Sequence, residues 1–238
     1  MTLRVEVFAS ADWADRVAGR LAERIAADPS MRLCLPTGST PLPVCERLPA
    51  LLRERDVSTA EATVVLLDEY LGLPAGHPAR CDATLRRALL DRFDAAPAFV
   101  RFEVDELDPA AACQAFSAAL DRIGGLDLVL LGLGTNGHLG MNEPGSPVDA
   151  PTRPVELAPE TASAARGYGA DPPPTRGVTF GMGPIMAAPE VWLLATGERK
   201  AAVLQRALNG PIDPDCPASY LRLHPNAAIL ADDDAARA

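Results

Sequence analysis

Short apolar, β-branched runs alternate along the chain with longer segments whose apolar positions recur every three or four residues. Such alternation predicts strands followed by helices that cover them, the pattern of an α/β fold. Strands are expected at residues 4–8, 32–35, 63–67, 100–102, 126–131, 177–180, 191–195 and 228–230. Helices are expected at 11–27, 42–53, 83–92, 109–123 and 199–208, with a short one near 218–223. In the first helix Trp13, Val17, Leu21 and Ile25 form one apolar stripe, while Asp15, Arg16, Glu23 and Arg24 lie elsewhere on its surface. Val64 to Leu67 run without a polar interruption, as in a parallel strand covered on both faces. The fold class is therefore α/β, a three-layer α/β/α sandwich with a mostly parallel, Rossmann-like central sheet, in a single domain over residues 1–238.

The pattern lapses between residues 140 and 175, where eight prolines fall. Proline removes backbone donors and stops helices, so this stretch reads as an irregular loop with one short helix near 161–166. It follows a dense polar cluster directly. It is either an active-site lid, centred on residues 145–175, or a solvated connector. The tail at 232–238 is expected to fray.

Composition narrows the partners. A chain of 238 residues with 48% hydrophobic and 23% charged residues can bury a full core. Its formal net charge of −10 argues against a nucleic-acid partner. The apolar runs fall far short of the roughly 18–20 residues of a membrane span, and the first residues hold no apolar signal core. Cys34, Cys45, Cys81, Cys113 and Cys216 show no CxxC spacing, which suggests reduced, buried thiols in a cytoplasmic protein.

Three predicted strand ends carry polar residues. Thr37, Gly38, Ser39 and Thr40 sit between a strand and a helix, where small residues, hydroxyls and a helix N-terminus suit an anion such as phosphate, or make an ordinary capped turn. It is not a Walker loop, since the GK[ST] ending is missing. Asp68 and Glu69 follow the 63–67 run, either as a partly buried general base or as a helix cap. The third end is Asn136, His138, Asn142 and Glu143, after an apolar strand. The G-x-G-x-x-G at 132–137, with Glu156 beyond it, formally matches a dinucleotide fingerprint, but Gly140, Pro144, Gly145 and Pro147 forbid the helix it must open. No metal pattern is present: His77 and His224 lie in unrelated His-Pro contexts. A histidine between glycines, followed by a carboxylate, reads as an acid/base group near pH 7.

With these residues the chain resembles the glucosamine-6-phosphate deaminase/isomerase family, within the wider superfamily that includes 6-phosphogluconolactonases. The matching segments are LPTGSTP at 35–41, LLDEYLGLP at 66–74, LVLLGLGTNGHLGMNEPGSP at 128–147, GVTFGMGPIM at 177–186, LLATGERKA at 193–201 and PASYLRLHP at 217–225. Asn142-Glu143-Pro144 points to the deaminase branch, since lactonases continue differently after the G-x-x-GH segment.

The resemblance implies conversion of glucosamine 6-phosphate and water to fructose 6-phosphate and ammonia, without a cofactor or a metal. It implies Asp68 as the base that moves a proton from C2 to C1. It implies His138 for ring opening, Glu143 to orient and charge it, and Asn136 to hold it from the other side. Thr37, Gly38, Ser39, Thr40 and Lys200 would hold the phosphate. Glu69 and Tyr70 would be structural. Relatives carry a lid arginine where this chain has Gly167; either Arg166, one residue earlier, reaches the phosphate through a shifted loop, or the lid is remodelled. The segment Arg80-Cys81-Asp82 also departs from the family's serine- and tyrosine-bearing pattern. The partner is a small-molecule hexosamine phosphate, with neither nucleic acid nor membrane, in a monomer or small homo-oligomer without amino-sugar allosteric control. Alternatives are galactosamine 6-phosphate or another hexosamine phosphate as substrate, a 6-phosphogluconolactonase, or a non-catalytic sugar-phosphate-binding regulator.

Overall fold

The computed structural model describes residues 3–105 and 108–237. In chain order its elements are β1 (Arg4–Phe8), α1 (Trp13–Ala27), β2 (Arg32–Leu35), α2 (Pro41–Glu54), β3 (Thr63–Leu66), β4 (Asp68–Tyr70), α3 (Cys81–Ala88), β5 (Ala98–Val100) and α4 (Pro109–Arg122). They continue with β6 (Leu128–Gly132), β7 (Arg153–Glu156), α5 (Pro159–Ala164), β8 (Arg176–Thr179), α6 (Met182–Ala187), β9 (Val191–Ala195), α7 (Ala201–Asn209) and β10 (Ala227–Asp232).

Seven strands form one sheet in the order β1-β10-β9-β6-β2-β3-β5, and every pairing in it is parallel. The twofold alternation of side chains divides the interior into two cores. Leu33, Leu35, Val64, Leu66, Leu128, Leu130, Trp192 and Leu194 face α1, α2 and α3. Cys34, Val65, Leu67, Val129, Leu131, Val191 and Leu193 face α4, α6 and α7. Uninterrupted apolar runs are thus what a sheet buried on both faces requires, and the three-layer sandwich stands as predicted. The α1 stripe of Trp13, Val17, Leu21 and Ile25 is buried as its spacing implied.

From β2 the chain steps outward through β3 to β5, then returns to β6 and runs the other way through β9 and β10. The reversal lies between β2 and β6. In open parallel sheets the crevice beyond the strand ends at such a reversal is where ligands bind.

A second sheet departs from expectation. At Leu67 the chain leaves the large sheet, its N–H still donating to the Leu35 carbonyl at 3.2 Å while its own carbonyl accepts from Phe180 at 2.9 Å. Asp68–Tyr70 then becomes the edge of an antiparallel three-stranded sheet, β4-β8-β7. Strand β7 falls inside the stretch read as irregular, and there Pro154 pairs opposite Val178. The proline-rich segment is therefore partly ordered by tertiary pairing that no local period reveals. Its short helix begins earlier than expected, at Pro159, and passes into a 3-10 turn over Ala165–Tyr168.

Other corrections are local. The strand placed at 100–102 lies at Ala98–Val100, the segment near 218–223 is a 3-10 helix over Pro217–Leu223, and α6 was not anticipated. The tail is not frayed through Arg237: Asp232 ends β10, Ala235 is fully buried, and Asp233 accepts hydrogen bonds from Ser10. All five cysteines are free and buried. Among the described residues no helix is long and apolar enough to cross a membrane.

Candidate active site

At the reversal between β2 and β6 lies a cavity of about 660 Å³. The turn after β2 contributes Thr37, Gly38, Ser39 and Thr40, the first residue of β4 contributes Asp68, and the turn after β6 contributes His138. Lys200 and Arg199 enter from the 3-10 turn after β9. The two turns are tied together, since the hydroxyls of Thr40 and Thr196 share a 3.1 Å hydrogen bond. Over the top sit Glu160, Thr161 and Tyr168 from the 145–175 segment.

The turn after β6 aims one imidazole. Asn136 Oδ1 accepts the His138 backbone N–H at 3.1 Å, while Asn136 Nδ2 donates to Glu143 Oε2 at 2.9 Å. That carboxylate oxygen lies 3.4 Å from His138 Nδ1. Asn136 therefore braces Glu143 and the backbone of His138 and makes no hydrogen bond to the ring, which corrects the expected placement of its amide. Burial pushes Glu143 up, but hydrogen bonds from His138, Thr161 and Asn136, with the attraction of the imidazole, outweigh it and hold the carboxyl at about 2. Glu143 and Asn136 do not line the cavity; they stand behind the histidine that does.

Asp68 lines the same cavity. Burial pushes its carboxyl up to about 6, against the lowering effect of a Cys81 hydrogen bond and of His138. Gly140, with φ +60°, brings backbone against it, and a Cβ there would lie 3.3 Å from Asp68 Oδ2 and 3.1 Å from Leu67 Cδ2. A carboxyl near 6 is poised to lose and regain a proton at neutral pH.

Glu69 is structural. Its buried carboxylate accepts the N–H groups of Tyr70, Cys81 and Asp82 at 2.8, 2.9 and 2.9 Å and so closes the N-terminus of α3. Tyr70 does line the cavity. Arg80, fully buried, gives both Asp105 oxygens a hydrogen bond, at 2.7 and 2.8 Å. The divergent Arg80-Cys81-Asp82 segment thus serves mainly to anchor α3, with Cys81 alone reaching the cavity.

Arg166 does not line the cavity. It is exposed, and the cavity is lined instead by its neighbours Gly167 and Tyr168. The cations on the cavity wall are Arg199 and Lys200. Burial, and then the neighbouring Arg199 guanidinium, lower the Lys200 ammonium from its ordinary value, as when two like charges await an anion. Sequence reasoning missed Arg199, although its place beside Lys200 was a usable signal. It also missed Thr161, Tyr168 and Cys81, which reach the cavity through tertiary folding alone. Among the described residues no cluster of three or more His, Cys, Asp or Glu is placed to hold a metal ion.

Comparison with known proteins identifies the family. A family profile described as glucosamine-6-phosphate isomerases/6-phosphogluconolactonase matches residues 7–230. A glucosamine-6-phosphate deaminase of Streptomyces coelicolor is 42% identical over 224 residues, spanning 92% of this chain and 86% of that protein. A solved monomeric glucosamine-6-phosphate deaminase superposes with a TM-score of 0.90 at 31% identity, covering 98% of this chain and 99% of the other. The 6-phosphogluconolactonase of Trypanosoma cruzi shares the fold, with a TM-score of 0.78 at 22% identity over 99% and 97% of the two chains.

Proposed function

The chain belongs to the glucosamine-6-phosphate isomerase/6-phosphogluconolactonase family, and from that premise we propose that it deaminates and isomerises glucosamine 6-phosphate to fructose 6-phosphate and ammonia. The observation that carries this reading is Asp68, a buried carboxyl held near 6, lining one cavity with the His138 of the His138–Glu143 pair. Lactone hydrolysis needs an activated water and no C–H base, whereas a deaminating isomerase needs a carboxylate to carry one proton between adjacent carbons.

In the proposed sequence His138 takes the proton of the O1 hydroxyl and returns it to O5 as the C1–O5 bond breaks. Asp68 then removes the C2 hydrogen while the substrate's C2 ammonium gives a proton to O1, which leaves a C1–C2 enolamine. The same carboxyl returns its proton to C1, and the resulting C2 imine takes up water and releases ammonia. Glu143, ionised throughout, stabilises the charged imidazole. Thr37, Gly38, Ser39 and Thr40 offer hydroxyl and backbone donors to the phosphate, and Lys200 and Arg199 supply its counter-charge. The buried free thiols suit a reducing, cytoplasmic setting.

The test is to incubate purified protein with glucosamine 6-phosphate and follow ammonia and fructose 6-phosphate together, with Asp68→Asn alongside. Equimolar release, lost in the variant, is expected. No turnover by the wild type would discard this substrate and turn attention to galactosamine 6-phosphate and to 6-phosphogluconolactone.

A further inference from the structure

The segment over the cavity touches the histidine directly. Thr161 Oγ1, on α5, lies 3.2 Å from His138 Nδ1, the nitrogen that also faces Glu143 Oε2 at 3.4 Å. Immediately before α5, the Ala158 N–H donates to Glu143 Oε1 at 3.3 Å. The pair is therefore held from below by Asn136 and from above by the same short stretch that roofs the cavity. Thr161 is itself buried.

Hydrogen-bond bookkeeping decides the direction of these contacts. Glu143 is ionised and only accepts. A threonine hydroxyl can donate once and accept at the same time. The arrangement that satisfies all three groups has His138 Nδ1–H donating toward Thr161 and Glu143, and the Thr161 hydroxyl donating on to Glu143. The lowering of the Glu143 carboxyl by Thr161 agrees with that direction. Nε2, which has no hydrogen-bond partner among the described residues, then keeps its lone pair for the proton exchanged with substrate.

We propose that Thr161 is a positioning residue that fixes His138 in its Nδ1–H form and makes that form depend on α5 being seated over the cavity. The inference rests on the reading of His138 as the ring-opening acid/base. Seating of the 145–175 segment and readiness of Nε2 are thus one event: a histidine uncovered by this segment loses one of the two side-chain partners that select its tautomer. Tautomer errors at a comparable base are costly, reaching about 10⁴-fold in the serine-protease triad. Loss of one of two partners should cost less.

The test pairs Thr161→Val, which keeps shape and removes the hydroxyl, with Thr161→Ser, which keeps the hydroxyl. Nitrogen NMR of the His138 ring in the free protein reads the tautomer without any turnover. The pH profile of kcat and KM for glucosamine 6-phosphate reads the consequence. Wild type and T161S should show a protonated Nδ1 at neutral pH, and T161V a mixture of tautomers. For T161V kcat should fall by about tenfold or more, with KM changed little and the profile of kcat displaced along pH. An unchanged tautomer and unchanged kcat in T161V would overturn the proposal. Equal losses in T161S and T161V, with the wild-type tautomer retained in both, would do the same and reduce Thr161 to a packing role. Should the wild type fail to turn over this sugar, the functional reading fails while the NMR comparison still decides the role of Thr161.

Discussion

The His138 ring lies against Gly134: a Cβ built on that glycine would stand 2.4 Å from Cγ, Cδ2 and Nε2 of the imidazole. Three ring atoms at one distance mean that the ring's face, rather than its edge, covers the glycine. The G-x-G of the false dinucleotide motif thus acquires a purpose, the clearance for a catalytic ring. Gly134→Ala must displace His138 from Glu143 and Thr161. Overpacking of this kind costs about 1–3 kcal/mol, so the variant should fold while kcat drops by a hundredfold or more, toward the loss of a general acid/base. Circular dichroism and steady-state kinetics together check this; near-normal kcat in a folded variant would mean that His138 is not the acid/base.

A second expectation concerns pH. The Asp68 carboxyl ionises near 3.8 when free and at about 6 in the fold, because burial disfavours its charge. Below about pH 4 both states hold the proton and burial costs nothing. The cost grows as pH rises through about 6 and is complete above it, so Asp68 makes the protein less stable at pH 8 than a neutral side chain would. Asp68→Asn should therefore be inactive yet more stable than wild type at pH 8, by on the order of 3 kcal/mol at most, and no more stable at pH 4. Urea unfolding at the two pH values measures it. The acid limb of wild-type kcat/KM should fall near pH 6, if Asp68 must be ionised to remove the C2 proton.

Much of this was legible in the chain. The parallel sheet could be read because Val64–Leu67 and Leu128–Leu131 are apolar on both faces, and only a doubly covered strand demands that. Asp68, His138 and the 37–40 turn stood out because polar groups directly at the ends of such strands need a reason to be there, whereas Lys200 came only from the family resemblance. The small β4-β8-β7 sheet was hidden, since Arg153 to Glu156 has no period of its own and is ordered by β8. Thr161 was hidden for the same reason: its partner, His138, is 23 residues away in sequence. Arg166 stands off the cavity because the segment ends in a 3-10 turn, where a one-residue offset turns a side chain from cavity to solvent.

A third expectation separates the cations. A sugar phosphate carries close to two negative charges at neutral pH, and Arg199 and Lys200 both line the cavity wall. Charged hydrogen bonds are worth about 1.5–3 kcal/mol, so Lys200→Ala and Arg199→Gln should each raise KM by roughly tenfold to a hundredfold. Both should weaken inhibition by inorganic phosphate in parallel. Arg166→Gln should leave both values unchanged. A raised KM in R166Q with none in R199Q would reverse the assignment.

The last expectation distinguishes Asn142 from its neighbour Glu143, which backs the His138 ring. Asn142 is fully buried, and its Nδ2 donates to the carbonyls of Leu139 and Phe180 at 3.0 and 2.9 Å. Its Oδ1 accepts from Arg153 Nη1 at 2.8 Å, and Arg153 Nη2 continues to Ser146 Oγ at 2.9 Å. One side chain thus pins the tight turn carrying His138 to the start of the segment that roofs the cavity. Asn142→Ala leaves two buried carbonyls and a guanidinium short of partners, each worth about 1–3 kcal/mol. It should destabilise by several kcal/mol, and activity per folded molecule should fall because Glu143 follows it directly. Arg153→Leu removes only part of the same network. If the network acts as one unit, the double variant should be scarcely less stable than Asn142→Ala alone, since residues sharing a network do not add. Denaturant unfolding of the four proteins reads the coupling; strict additivity would mean that Asn142 and Arg153 act independently, and that the turn is not held through this bridge.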